Sequence, residues 1–148
     1  RLDAELARTE RTGAPLSVVV FDVDHFKAIN DSYGHAAGDA ALRGIGDAVV
    51  DAMRRSDVFG RLGGEEFALI LPETDVAGAA VVADKLRHLL SAPVIVGRAL
   101  TVSFGVAQAR EGGYGPLLLR EADRALYAAK RAGRDRVVRP DQMQLTAA

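Results

Sequence analysis

Four carboxylates stand where a folded chain usually avoids them. Asp22 and Asp24 end a run over residues 16–21 that is apolar apart from Ser17, and Glu65 and Glu66 directly follow Gly63-Gly64, at the entrance to a second apolar run. Carboxylates at strand ends and hairpin tips can project from a rigid sheet toward a common point. Like charges gathered there repel and call for a cation, and oxygen-only ligands suit magnesium or manganese. One or two such ions would bind the phosphates of a nucleotide and activate a hydroxyl for in-line displacement. Taken singly, each carboxylate reads as a solvated turn residue. Taken as a set, beside two glycines that allow close backbone approach, they read as a metal site.

The chain that has to position them is 148 residues long, about one domain by length. At 49% hydrophobic and 26% charged it can bury a single core. Its 19 Lys and Arg against 20 Asp and Glu leave a net charge of −1, which argues against a protein that coats nucleic acid. With no cysteine, a disulfide framework, a thiolate metal site and a cysteine nucleophile are excluded. The longest apolar runs fall far short of the roughly 20 residues that span a bilayer. Residues 1–11 are charged and helical in character, unlike a signal peptide. The expectation is a soluble, cytoplasmic domain; a longer parent chain could still be membrane-anchored through a preceding part.

Hydrophobic periodicity orders the elements. Leu2 and Leu6 mark an amphipathic helix that Gly13-Ala14-Pro15 breaks, and residues 16–21 read as a buried strand. Leu42, Ile45, Val49 and Met53 mark a core-facing helix. Residues 58–62 and 67–71 flank Gly63-Gly64 as a β-hairpin closed by Pro72. Val76, Ala80, Ala83, Leu86 and Leu90 make the next helix, and residues 94–96 and 100–107 a second pair of strands. A third helix starts near Pro116, runs to about Arg131 and stops at Gly133, and Val137-Val138 forms a last short strand. This order predicts an α/β or α+β domain. Pattern alone leaves open whether the helices share one face or cover both.

Several segments resemble one known family. Arg61-Leu62-Gly63-Gly64-Glu65-Glu66-Phe67 resembles the hairpin of the GGDEF domains, the diguanylate cyclases, in its GGEEF form. Phe21-Asp22-Val23-Asp24-His25-Phe26-Lys27-Ala28-Ile29-Asn30-Asp31 resembles the family's FDxDxFKxxND segment, and Tyr33-Gly34-His35-Ala36-Ala37-Gly38-Asp39 its YGHxxGD. Thr101-Val102-Ser103-Phe104-Gly105-Val106 resembles its late core strand, and Tyr127-Ala128-Ala129-Lys130-Arg131-Ala132-Gly133-Arg134 its YxAKxxGR. The matches stand in the family's order and cover nearly the whole chain. The implied fold is a central, mostly antiparallel five-stranded sheet flanked by helices, similar to nucleotide cyclases and polymerase palms, with a small extra hairpin. The implied domain is a single catalytic unit over residues 1–148, a fragment of a longer multidomain protein, because the family's DxLTxLxNR opening is missing.

The resemblance implies condensation of two GTP into cyclic di-GMP with release of two pyrophosphates. Each domain of a homodimer would hold one GTP, and each 3′-hydroxyl would attack the other's α-phosphate. Asp22, Glu65 and Glu66, with the Val23 carbonyl, would hold Mg²⁺ or Mn²⁺, two ions per site. Glu65 or Glu66 would also take the proton from the 3′-hydroxyl, and the sequence does not separate base from ligand between them. Lys27, Lys130 and Arg134 would meet the triphosphate, with Gly63 and Gly64 beside the nucleotide. Asn30 and Asp39 would read the base: guanine offers N1–H and a 2-amino group, and a carboxylate is an acceptor-only partner for both. Adenine lacks that donor pair and would leave Asp39 unpaired. Blander readings stand beside these: Asn30-Asp31 as a turn, Asp39 as a helix cap, and Lys130-Arg131 with Arg134 as a basic helix end that complements the helix dipole.

Arg54-Arg55-Ser56-Asp57 lies where the family often carries an inhibitory RxxD site for its product, so Arg54 and Asp57 are the expected feedback contacts. A helix-terminating charge pair is the alternative. Lys85 stands where inhibited members often place an arginine, and Asp135 where the family's GRN ending usually has Asn. A lysine cannot reproduce the bidentate fork of arginine, so weaker inhibition is expected. The competing functional reading is a binding module that holds GTP or cyclic di-GMP and signals by contact, with an upstream sensor or dimerising domain as partner in either case.

Overall fold

The structure is a computed structural model that describes residues 1–92 and 99–147, with side chains through Met143. Every residue of β1 (Leu16–Val23) is buried, which fits a near-continuous apolar run: a strand covered on both faces has no polar side to alternate with. It forms the centre of a five-stranded sheet. In spatial order β2 (Val58–Gly63) and β3 (Glu66–Pro72) lie on one side of β1, and β4 (Val102–Gln108) and β5 (Val137–Val138) on the other. All pairings are antiparallel except β4 with β5. The expected five-stranded, mostly antiparallel sheet with flanking helices is therefore present.

Both faces are covered, which settles the choice left open by periodicity. Val19, Phe21 and Val23 pack with Phe67, Leu69, Leu71, Val102, Phe104 and Val106 against α3 (His35–Ala52) and α4 (Val76–Leu90). Val18 and Val20 face the other way, toward Leu6 of α1 (Leu2–Thr12) and Leu118, Ala122 and Leu126 of α5 (Gly115–Arg131). Phe21 anchors the first core, its ring 4.9 Å from that of Phe104 and 5.4 Å from that of Phe67. On the second face α5 lies directly on β4 at Gly105, where a Cβ would come within 2.1 Å of the Ala122 carbonyl oxygen.

Two short helices, α2 (Phe26–Tyr33) and α6 (Pro140–Ala147), complete the described elements. The first replaces the turn that Asn30-Asp31 suggested. β4 starts at Val102 rather than at residue 100. The expected strand at 94–96, and with it the small extra hairpin, falls outside the described residues. No helix among the described residues is long and apolar enough to cross a membrane.

Candidate active site

β1 delivers Asp22 to the end of the sheet where the β2–β3 hairpin turns. Its cross-strand partners are Glu66 on β3 and Ser103 on β4. Side chains alternate along a strand, so Asp22 shares a face with Val18 and Val20 and looks toward α5. There Lys130, in the last turn of α5, donates to Asp22 Oδ2. Asp22 Oδ1 is buried and accepts no hydrogen bond among the described residues. Burial pushes the Asp22 carboxyl above its usual 3.8, Lys130 pulls it down, and Glu65 and Asp24 push it up again.

Glu65 and Glu66 sit at the hairpin. Gly64 takes a left-handed conformation (φ 50), and the Arg61 guanidinium donates through Nε to the Gly64 carbonyl at 2.7 Å, closing the turn. Glu66 is half-buried, and its carboxyl is held above the usual 4.5 by burial first, then by Asp123, Asp22 and Glu65, against Lys130. Asp123 is a residue that sequence reasoning missed. It precedes Lys130 by seven positions on α5, two helical turns and thus the same side, and that spacing was the available signal.

Asp24 does not join this group. Ser103 Oγ donates to its Oδ1 at 2.6 Å, and Thr101 Oγ1 and the Asp135 N–H donate to its Oδ2 at 2.7 and 3.0 Å. The set of four carboxylates thus reduces to Asp22, Glu65 and Glu66, with Asp123 nearby. Among the described residues no three acidic or histidine side chains stand close enough to form a ready-made cation cage. The donor set nevertheless fits a hard divalent ion: all ligands are oxygens, neighbouring acids raise the proton affinity of Asp22 and Glu66, and a buried carboxylate oxygen has no partner among the described residues. Val23 has its side chain in the core, which leaves only its backbone to contribute.

The residues expected to read the base, Asn30 and Asp39, come from α2 and α3. Asn30 packs on Gly38, where a Cβ would stand 1.9 Å from Asn30 Oδ1, and that oxygen is buried without a partner. The next residue, Asp39, is exposed and lines a cleft of about 360 Å³ with Leu42, Arg43, Arg61 and Phe67. Lys27 is exposed on α2. Arg134 follows α5 in a left-handed conformation (φ 65), its N–H bound to the Ala129 carbonyl at 2.9 Å. Neither side chain has a hydrogen-bond partner among the described residues.

Arg54 and Asp57 close on each other just past α3. Arg54 Nη2 meets Asp57 Oδ1 at 2.7 Å and the Pro72 carbonyl at 2.9 Å, while Asp57 Oδ2 accepts the Arg54 N–H at 2.9 Å. This is the geometry of the helix-terminating charge pair. It lies at the Pro72 end of β3, whereas Glu66 begins that strand, about 20 Å away at strand rise.

Sheet and site define a mixed α/β domain with clustered carboxylates at one end of a mainly antiparallel sheet, countered by a helix-borne lysine. The profile of the family described as "Diguanylate cyclase, GGDEF domain" matches residues 1–136. The chain is 39% identical over 145 residues to the diguanylate cyclase DgcP of Pseudomonas aeruginosa, a match that covers 93% of this chain and 21% of that protein. It is 40% identical over 145 residues to the response regulator PleD of Caulobacter vibrioides, covering 93% and 32%. The chain thus spans about a fifth to a third of the length of these relatives. Among solved structures it is similar to the GGDEF domain of DgcB from Caulobacter crescentus in complex with c-di-GMP, with a TM-score of 0.87 at 34% identity over 95% of this chain and 86% of that one. The active GGEEF domain of a diguanylate cyclase from Vibrio cholerae gives 0.84 at 33% identity over 92% and 89%. This chain belongs to the diguanylate cyclase GGDEF-domain family.

Proposed function

We propose that this domain is one half-site of a diguanylate cyclase: two copies, each holding one GTP, form cyclic di-GMP and release two pyrophosphates. The observation that carries the reading is the cross-strand pair Asp22 and Glu66, both with raised proton affinity, beside an Asp22 oxygen that no described residue satisfies.

In this reading Asp22, Glu65 and Glu66, with the Val23 carbonyl, hold Mg²⁺ or Mn²⁺, which when bound neutralises phosphate charge and lowers the proton affinity of the attacking hydroxyl. Asp22 would serve two cations: Oδ2 already accepts from the Lys130 ammonium, and the unpartnered Oδ1 would remain for the ion. Asp39 and Asn30 read guanine, and Gly63 and Gly64 let the backbone approach the nucleotide. Each 3′-oxygen bonds to the α-phosphorus of the other nucleotide as the bridging oxygen departs with pyrophosphate. The displaced proton passes to the Glu65 or Glu66 carboxylate. Lys27, Lys130 and Arg134 hold the triphosphate and the charge that develops on the leaving pyrophosphate.

Residues 1–148 act as a single catalytic domain within a longer protein, whose sensor or dimerising part brings two copies face to face. Product bound at Arg54 and Asp57 restrains the enzyme. To bind there it uses Arg54 Nη1, which the ion pair leaves free, and weakens the existing contact with Asp57. Incubation of concentrated protein with GTP and Mg²⁺, beside Glu66→Ala, tests the reading by chromatography of the nucleotides. Cyclic di-GMP from the wild type alone supports it; none from the wild type, even when two copies are joined through a fused coiled coil, overturns it.

A further inference from the structure

Asp24 is a buried carboxylate, 4% exposed, that makes no ion pair among the described residues and supplies no oxygen to the acidic site. Its two oxygens instead collect donors from three places in the chain. Ser103 on β4 and Thr101 just before it give hydroxyl protons, at 2.6 and 2.7 Å. The third donor is the backbone N–H of Asp135, which is shared between Asp24 Oδ2 at 3.0 Å and Ser103 Oγ at 3.2 Å. An acceptor-only group with two oxygens can serve three donors at once, and neither a serine nor an alanine could.

The segment that receives this clamp is unusual. Gly133, Arg134 and Asp135 all have positive φ, at 124, 65 and 48°. Non-glycine residues rarely adopt that region, and two in succession persist only where surrounding contacts hold them. Arg134 is fixed on one side by its N–H to Ala129 and on the other by the Asp135 N–H to Asp24. The Asp135 side chain is tied outward to Arg87 of α4 at 3.0 Å. The main chain is therefore held at Arg134 itself and at Asp135, while the Arg134 guanidinium makes no hydrogen bond among the described residues.

We propose that Asp24 is a positioning residue: it locks the left-handed loop 133–135 and so aims Arg134 at the β- and γ-phosphates of bound nucleotide. The inference rests on the reading of Arg134 as a triphosphate contact. It separates the two aspartates of one strand end by task. Asp22 serves the cations, and Asp24 serves the loop that carries the arginine.

The test uses calorimetry with Mg²⁺ and two probes: GMP, and a GTP analogue with a methylene bridge between its α- and β-phosphorus. Asp24→Ala should weaken the analogue roughly tenfold and leave GMP within about twofold, because only the analogue reaches Arg134. Asp24→Asn should stay within about threefold of wild type, since its amide oxygen still accepts the Asp135 N–H and the hydroxyls can reverse their donor roles. Arg134→Ala should cost about as much as Asp24→Ala, and the double variant little more than either, the mark of residues that act as a unit. If Asp24→Ala does not fold, Thr101→Val with Ser103→Ala strips two partners from the clamp and should weaken the analogue about threefold with GMP unchanged. Equal loss for both probes, or additive losses in the double variant, overturns the proposal. Wild-type protein that binds the analogue yet never turns over GTP sinks the cyclase reading and leaves the clamp standing. Failure of the wild type to bind the analogue at all sinks both.

Discussion

The two ends of β3 treat charge in opposite ways. At the Pro72 end, Arg54 and Asp57 neutralise each other, and Asp57 also accepts the Arg54 backbone N–H, so both carboxylate oxygens and every Arg54 nitrogen but Nη1 have a protein partner among the described residues. At the Glu66 end, Asp22, Glu65, Glu66 and Asp123 gather around Lys130, and one Asp22 oxygen is buried with no partner among the described residues. A buried group left unsatisfied costs free energy that folding alone gives no reason to spend. The first region is complete without a ligand, and the second is not. On this basis the acidic end is the place where binding has most to gain, and any product site at Arg54 has to compete with an existing ion pair.

The largest expected effect breaks the acidic end. Glu66→Ala should lower cyclic di-GMP formation more than a hundredfold, measured by chromatography at matched protein concentration; activity within tenfold of wild type would remove Glu66 from the site. Gly38→Ala comes next. The new Cβ would collide with the Asn30 carboxamide, so GTP affinity should fall at least tenfold and stability by about 1–3 kcal/mol, read by calorimetry and by urea denaturation. At the other end of the strand Arg54→Ala leaves the buried Asp57 carboxylate without its guanidinium. The expected loss is about 1 kcal/mol, modest because Arg54 is half exposed. The same variant should abolish cyclic di-GMP binding if the product site is real, and unchanged binding would leave Arg54 a purely structural residue.

Much of this contrast was legible in the sequence, and the missing parts share one cause. The hairpin, the buried strand and the three long helices follow from periodicities of two and 3.6 residues, which are local properties of the chain. Acids at the ends of apolar strands were equally visible. The division of labour between Asp22 and Asp24 was not, because Asp24 is claimed by Thr101 and Ser103, 77 and 79 residues away. Asp123 was hidden for the same reason: its closeness to Glu66 exists only once α5 lies across the sheet. The apolar run of β1 was visible but left open whether one face or both would be covered, because an amphipathic helix does not say which face it will cover. The helix α2 escaped notice because it has only 8 residues and contains Asn30-Asp31, a pair equally suited to a turn.

The smallest effect sharpens the comparison most, because it concerns stability rather than catalysis. Glu66 carries a folded-state proton affinity above that of the unfolded chain, with burial as the main cause and the neighbouring acids next. Such a group contributes stability in full below its unfolded pKa, and that contribution is lost as pH rises through the higher folded value. At neutral pH the ionised Glu66 is therefore a net cost, and Glu66→Gln should raise the melting temperature of the nucleotide-free protein while it removes activity. The gain should be small, about 1–2 °C, since solvent screens a half-buried charge. It should vanish below the ordinary glutamate value, where the carboxyl is protonated in both folded and unfolded chains, and open as pH climbs through the raised folded value. Addition of Mg²⁺ should narrow the gap by stabilising the wild type more than the variant. A gap that stays constant from acid to neutral pH and ignores the metal would mean that the acids at this end do not repel one another enough to matter, and the contrast between the two ends of β3 would lose its electrostatic basis.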